Sequence, residues 1–243
     1  MRISAENMHY RELNERIHAA VGDGAAQITL DNVCGQRYIG AGLDEGVSIF
    51  INGVPGNDMG AFMNGARITV NGNGQDGVGN TMNSGKIVIR GDVGDILGYS
   101  MRGGTLFVGG SASYRAGIHM KAYGDRVPRV VIGGGAGDYL GEYMAGGVLV
   151  VLGMDGQAGP AVGEWLGTGM HGGVMYLRCR PEPYQLGAEV GVAELDESDW
   201  ALLGGVLEEY YRELRIEAPG FGPGDFVKVY PRTARPYGTL YAY

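Results

Sequence analysis

A nineteen-residue period constrains this chain more than any other feature. The segments MGAFMNGARITVNG (Met59 to Gly72), VGNTMNSGKIVIRG (Val78 to Gly91), LGYSMRGGTLFVGG (Leu97 to Gly110) and LGEYMAGGVLVVLG (Leu140 to Gly153) share one template. It runs apolar residue, Gly, two variable residues, Met, a small or polar residue, one or two glycines, then a short strand ending in Gly. The closing glycines Gly53, Gly72, Gly91, Gly110, Gly134 and Gly153 are spaced by 19, 19, 19, 24 and 19 residues. The longer step places an insertion in KAYGDRVPR (Lys121 to Arg129). ITLDN (Ile28 to Asn32) reads as a degenerate first unit, and MHGGVMYLRC (Met170 to Cys179) as a last one after a longer insertion, for about eight units. A unit this short cannot bury its own apolar face, so the units must stack and form equivalent-residue ladders along an axis.

Within each strand the apolar residues alternate, as a half-buried strand requires. The core file is Ile28/Leu30, Ile49/Ile51, Ile68/Val70, Ile87/Ile89, Leu106/Val108, Val130/Ile132, Leu149/Val151 and Met175/Leu177. Met63, Met82, Met101, Met120 and Met144 form a second internal ladder of space-filling thioethers. The glycines belong to tight corners, where either positive φ or close approach of one coil to the next excludes a Cβ. These features predict an all-β parallel β-helix, a solenoid of stacked coils. On the outer side of the strands Thr29 and Thr69 are polar, whereas Phe107, Val131, Val150 and Tyr176 are apolar, so the later coils must be covered by a helix of this chain or by a partner.

The ends are different in kind. MHYRELNERIHAAVGDG (Met8 to Gly24) places Leu13 and Ile17 four apart with Tyr10 and Val21 on the same side, which predicts a short helix capping the first coil. LDESDWALLGGVLEEYYRELRIEAPG (Leu195 to Gly220) carries Trp200, Leu203, Leu207, Tyr211 and Leu214 on one face and acids at its start, which predicts a second helix. From Phe221 onward, prolines and aromatics predict an extended tail packed on its own domain or on a neighbouring subunit. The organisation expected is a capping-helix region over 1–24, the β-helix over 25–180, and a helix with an aromatic tail over 181–243.

Of the 243 residues, 44% are apolar, enough for a real core, and the 47 glycines show no collagen period. A formal charge of −8 with no basic stripe argues against nucleic acid or an anionic membrane as a partner. No apolar run approaches the roughly 18 residues of a membrane span, and the start MRISAENMHYREL is too polar for a signal peptide, so a cytoplasmic location is expected. Cys34 and Cys179 stand far apart and suggest neither a disulfide framework nor a metal motif; a buried, reduced role is expected of both.

Motifs for chemistry are absent or fail on spacing. VVIGGGAGDYLG (Val130 to Gly141) looks like a dinucleotide loop, but from Gly133 the third fingerprint position is Asp138 and from Gly135 it is Leu140, and no helix pattern follows. His9, His18, His119 and His171 are scattered without metal-ligand spacing. Asp76, Asp95 and Asp138 recur in the turn before the next coil, where an Asp side chain is expected to bond nearby backbone N–H groups. No catalytic, cofactor-binding or metal-binding residue is assigned.

With its GxxMxGG coils, ITLDNVCGQRYIGAGL (Ile28 to Leu43) and GTGMHGGVMYLR (Gly167 to Arg178), most of the chain resembles the GXGXG-domain family, the domain at the C-terminal end of the glutamate synthase large (alpha) subunit. YRELN and RPYGTLY resemble its freestanding versions. The resemblance implies a single-stranded right-handed parallel β-helix with short terminal helices. It also implies a noncatalytic scaffold beside a class-II glutaminase subunit and an FMN/iron-sulfur synthase subunit. Such a complex, an oxidoreductase of nitrogen assimilation, makes glutamate from glutamine and 2-oxoglutarate. FMN and clusters would belong to the partners: a class-II glutaminase needs an N-terminal cysteine where this chain begins Met1-Arg2, and two cysteines cannot supply a four-thiolate cluster. Formylmethanofuran dehydrogenase, through its C subunit, and N-methylglutamate synthase resemble the same scheme, and a self-contained structural or binding protein would keep the fold without the partners. The sequence leaves a homo-oligomer open.

Overall fold

The computed structural model describes residues 1–156 and 161–233. One sheet of 11 strands runs the length of the molecule. A short leading strand, β1 (Arg2–Ser4), is followed by α1 (Tyr10–Gly22) and then by one strand per coil. These strands are β2 (Gln27–Cys34), β3 (Ser48–Val54), β4 (Asn64–Asn71), β5 (Ser84–Ile89), β6 (Thr105–Val108), β7 (Arg129–Ile132), β8 (Ala145–Val151) and β9 (Gly172–Leu177). From β1 to β9 neighbours pair in parallel and in chain order, which is the β-solenoid that the period demands.

The register follows the repeat. Ile49 pairs with Ile68, Ile68 with Ile87 and Ile87 with Leu106, so each core residue sits over its counterpart one coil away. All sixteen residues of the predicted core file are buried, and each side chain of this kind contributes about 1.5–3 kcal/mol when fully withdrawn from water. The methionine ladder is present and continuous: Asn83 N–H donates to Met63 O at 2.9 Å, Arg102 N–H to Met82 O at 2.8 Å, and Lys121 N–H to Met101 O at 2.9 Å. It extends to Met170, a position absent from the predicted file, because His171 N–H donates to Met144 O. The 24-residue step is also real, since Leu106 pairs with Val130.

The outer apolar strand residues are covered by this chain's own helix, α2 (Glu197–Leu214). Leu203, Val206, Leu207, Tyr210 and Leu214 pack against Val88, Phe107, Val131, Val150 and Tyr176 in a second core. Tyr210 lies at its centre, its ring edge-on to Phe107 and its hydroxyl donating to Val108 O at 3.1 Å. The helix begins at Asp196, whose side chain accepts from Asp199 N–H while the Asp199 carboxylate accepts from Asp196 N–H, so two orphan donors are satisfied reciprocally. Ion pairs fix its rotation: Glu213 meets Arg67 and, at 2.7 Å, Lys86, while Glu209 meets Lys86 at 2.5 Å and Arg129 at 3.4 Å. Those basic residues are equivalent in register: Arg67 pairs with Lys86, and Lys86 and Arg129 both pair with Thr105 of the coil between them.

Both ends of the solenoid are closed. Leu13, Ile17 and Ala20 of α1 are buried against the first coil, as predicted. At the other end β11 (Val227–Pro231) pairs antiparallel with β9 and with β10 (Val190–Ala193). The first part of the predicted extended tail is therefore a sheet strand on its own domain, and residues 234–243 lie outside the described residues. Sequence reading missed β1 and β10 because each is only three or four residues long and lies outside the period.

Candidate interaction surface

Every coil turns one corner through three left-handed residues at alternate positions. The triplets are Tyr38, Gly40 and Gly42; Asp58, Gly60 and Phe62; Gly77, Gly79 and Thr81; Ile96, Gly98 and Ser100; Arg115, Gly117 and His119; Tyr139, Gly141 and Tyr143; Trp165, Gly167 and Gly169, all with φ between 51° and 74°. One corner shows the reason. Ile96 and Ser100 donate forward to Tyr114 O and Ile118 O of the next coil, at 2.8 and 2.9 Å, while Gly98 donates backward to Val78 O at 2.8 Å. Two overlapping turns close between them, Tyr99 N–H to Ile96 O and Met101 N–H to Gly98 O, each 3.1 Å. Alternate inversion of the backbone thus sends its polar groups to both neighbours, and the corner is satisfied without a ladder.

The central residue of the triplet is always glycine because it faces the core. A Cβ on Gly40 would stand 2.5 Å from Ile68 Cδ1, and one on Gly79 2.9 Å from Leu106 Cδ1. The two outer residues face away from the core and vary widely, although a Cβ on Gly77 would stand 2.7 Å from Asp58 Oδ1 and one on Gly169 2.3 Å from Tyr143 Cδ1. Phe62 is 58% exposed, Tyr143 46% and Trp165 45%.

On the last coils these outer residues merge into an aromatic ridge. Tyr139 stacks on Trp165 with centroids 4.9 Å apart, and His119 on Tyr143 at 5.2 Å. Tyr114 meets Tyr139 edge-on at 5.5 Å, and Tyr99 meets His119 likewise at 6.0 Å. The Arg115 guanidinium lies over both the Tyr114 and Tyr139 rings, 4.8 and 5.1 Å from their centroids. Beneath it the buried Glu142 carboxylate comes within 3.2 Å of Arg115 Nε, without the alignment of a hydrogen bond.

The residues singled out in the sequence do not converge. Asp76, Asp95 and Asp138 serve the coil stack rather than their own turns: Asp95 N–H donates to Asp76 Oδ1 at 2.9 Å, Tyr114 N–H to Asp95 Oδ1 at 3.2 Å, and Glu164 N–H to Asp138 Oδ1 at 2.8 Å. The carboxylate bridges to the next coil because the corner already satisfies its own N–H groups. His9 caps α1, with Nδ1 accepting from Arg11 N–H at 3.4 Å, and His171 Nδ1 lies 3.0 Å from Gly169 O. His18 is exposed, and His119 belongs to the ridge. Among the described residues no group of His, Cys, Asp and Glu could hold a metal. Both cysteines are free; Cys179 is half-buried, and burial raises its thiol pKa. Cys34 corrects the expectation of burial, because it lies at an exposed outward position at the end of β2. The glycines after β7 are taken up by contacts between coils, and no helix follows them.

An open depression lined by Val174, Tyr176, Ala193, Asp199, Leu202, Lys228 and Tyr230 has polar groups on its floor. They are occupied with each other: Tyr176 donates to Asp199 at 2.8 Å, and Lys228 pairs with the same carboxylate. Burial first, and then that hydrogen bond to Asp199, raise the Tyr176 pKa, so this cluster anchors α2 to β9. The ridge escaped sequence reading because the template treats its positions as variable. The bulky residues there, His119 just before Met120 and Tyr143 just before Met144, were the available signal.

A continuous parallel solenoid with satisfied corners, covered on one side by its own helix, defines a repeat protein whose distinguishing chemistry lies on its surface. The chain belongs to the GXGXG motif family, which matches residues 10–218. It is 44% identical over 248 aligned positions to Uncharacterized protein MJ1350 of Methanocaldococcus jannaschii, covering 98% of this chain and 95% of that protein. No helix among the described residues is long and apolar enough to cross a membrane.

Proposed function

We propose that this chain is the noncatalytic scaffold subunit of a glutamate synthase-type complex. It would hold a class-II glutaminase subunit against an FMN/iron-sulfur synthase subunit. Family membership over most of the chain supports the reading, and the observation that carries it is the exposed aromatic ridge, mounted on a frame whose backbone is bonded coil to coil. A surface on such a frame keeps its geometry, which is what a subunit must supply if it is to align two active sites and guard ammonia passing between them. FMN and clusters belong to the synthase partner in this reading.

Reconstitution tests it. The three purified subunits are combined, and glutamate formation is followed with glutamine or with ammonia as nitrogen donor. Omitting this chain is expected to abolish the glutamine-dependent rate while leaving glutaminase activity and the ammonia-dependent rate in place. Equal glutamine-dependent rates with and without it, and separate elution of the three chains, would overturn the reading.

A further inference from the structure

We propose that residues 234–243 of this chain seat in the open depression beside the start of α2 and extend the second core over β10 and β11. Helix α2 packs on the outer sheet face from Val88 to Tyr176. Beside Tyr176 lies the depression, of about 530 Å³, lined by Val174 of β9, Ala193 of β10, Tyr230 of β11 and Leu202 of α2. Leu202 is 45% exposed and Tyr230 38%, so the second core is left with an open apolar end. The groups on the floor are bonded to one another, Tyr176 and Lys228 both to Asp199, so what the depression chiefly offers an entrant is apolar contact.

The chain itself supplies an occupant of that character. Arg232 N–H donates to Glu189 O at 2.8 Å beside the first residue of β10, and Ala234 follows Tyr230, a lining residue, by four positions. Residues 234–243 can span about 33 Å when extended, whereas the three strands under the depression are crossed in about 10 Å. Tyr237, Leu240, Tyr241 and Tyr243 give the segment a large apolar content, unlike that of a tail left in water.

Its sequence also carries the means of turning back. Arg235-Pro236-Tyr237-Gly238 places Pro at the second position and Gly at the fourth, as a type I turn favours. A reversal there would set Arg235 opposite Gly238 and, step for step, Tyr243 level with Tyr230. The tether decides between this occupant and another molecule's surface. A segment joined so near to the depression stands at about millimolar effective concentration there before any partner arrives.

Photocrosslinking of the full chain carrying Tyr243→p-benzoylphenylalanine tests this. Mass spectrometry of the digest is expected to show capture, within one chain and unchanged on dilution, of a peptide holding Leu202 or Tyr230. Leu202→Asp, which sets a charge at a position already exposed, should cut that yield about tenfold or more. Capture between copies, capture of the peptide holding Trp165, or no capture at all would overturn the proposal. Hydrogen exchange gives a second measurement that needs no probe. In a chain ending at Thr233 the amides of Gly191 to Ala193 should exchange about tenfold faster than in the full chain, the scale of one apolar side chain withdrawn from water. Leu202→Asp in the full chain should exchange as the shortened chain does. Equal rates in the full and shortened chains would also overturn the proposal.

Discussion

Gly40→Ala puts the corner geometry to a quantitative test. The residue has φ +74°, and an alanine there takes on left-handed strain of about 1–2 kcal/mol. Its Cβ would stand 2.5 Å from Ile68 Cδ1, so that methyl must leave its well at a further cost of about 0.5–1.5 kcal/mol. Against this, alanine narrows the unfolded ensemble, a gain of about 0.4–1 kcal/mol. The net expectation is a loss of about 0.5–3 kcal/mol, read by urea unfolding followed by circular dichroism. Ile68→Val alone removes the obstructing methyl and, because Ile68 is fully buried, should cost about 0.5–1.5 kcal/mol. The double variant separates the two costs, since with Cδ1 gone the overlap disappears and only the backbone strain remains. It should be more stable than the sum of the single effects predicts by about 0.5–1.5 kcal/mol. Additivity within about 0.3 kcal/mol would refute the steric account of the central glycine.

Glu213 links stability to pH. The hydrogen bond from Arg67, opposed by burial and assisted by Lys86, lowers its pKa from 4.5 to about 2. A depressed carboxylate contributes stability above its unfolded pKa and loses it as pH falls toward the folded value, so the loss should run from about pH 4.5 to about pH 2. Allowing for screening, its size should be about 1–2 kcal/mol, and Glu213→Gln should flatten that part of the stability profile. Met82→Ala should cost about 2–5 kcal/mol by opening a cavity in the fully buried thioether ladder. Met82→Leu should stay under about 1.5 kcal/mol, both read by denaturant unfolding. A thiol reagent at pH 8 should modify exposed Cys34 well before Cys179, whose thiol is held up by burial; mass spectrometry of the partly labelled protein gives the order.

Legibility in the sequence followed periodicity. Wherever a side chain faces the core, the coils above and below impose the same requirement. Ile49, Ile68, Ile87 and Leu106 therefore recur in register, and one alignment of the chain with itself recovered fold, core and methionine ladder. The α2 cover was legible for a related reason: Phe107, Val131 and Val150 break the polar outer file exactly where a second apolar face is needed, and Leu203 and Leu207 supply it. The ion pairs that fix its rotation were not, because Arg67 and Glu213 are 146 residues apart and nothing local joins them.

The surface of the corner was illegible for the opposite reason. Its backbone repeats strictly, but only the central residue is always glycine, and the outer positions of the triplet carry Gly, Asp, Thr, Ser, Ile, Phe, Tyr, Trp, His or Arg at similar φ. A period search reports such positions as variable and sets them aside. The backbone reverses that judgement, since a left-handed site accepts glycine without strain and every other residue there must be held against a cost. That the bulky occupants gather over neighbouring coils, from Tyr99 and Arg115 to Trp165, and stack on one another, is therefore a departure from what the repeat alone selects. In a solenoid whose core leaves so little to choose, the residues that break the period on the surface are the ones free to carry recognition.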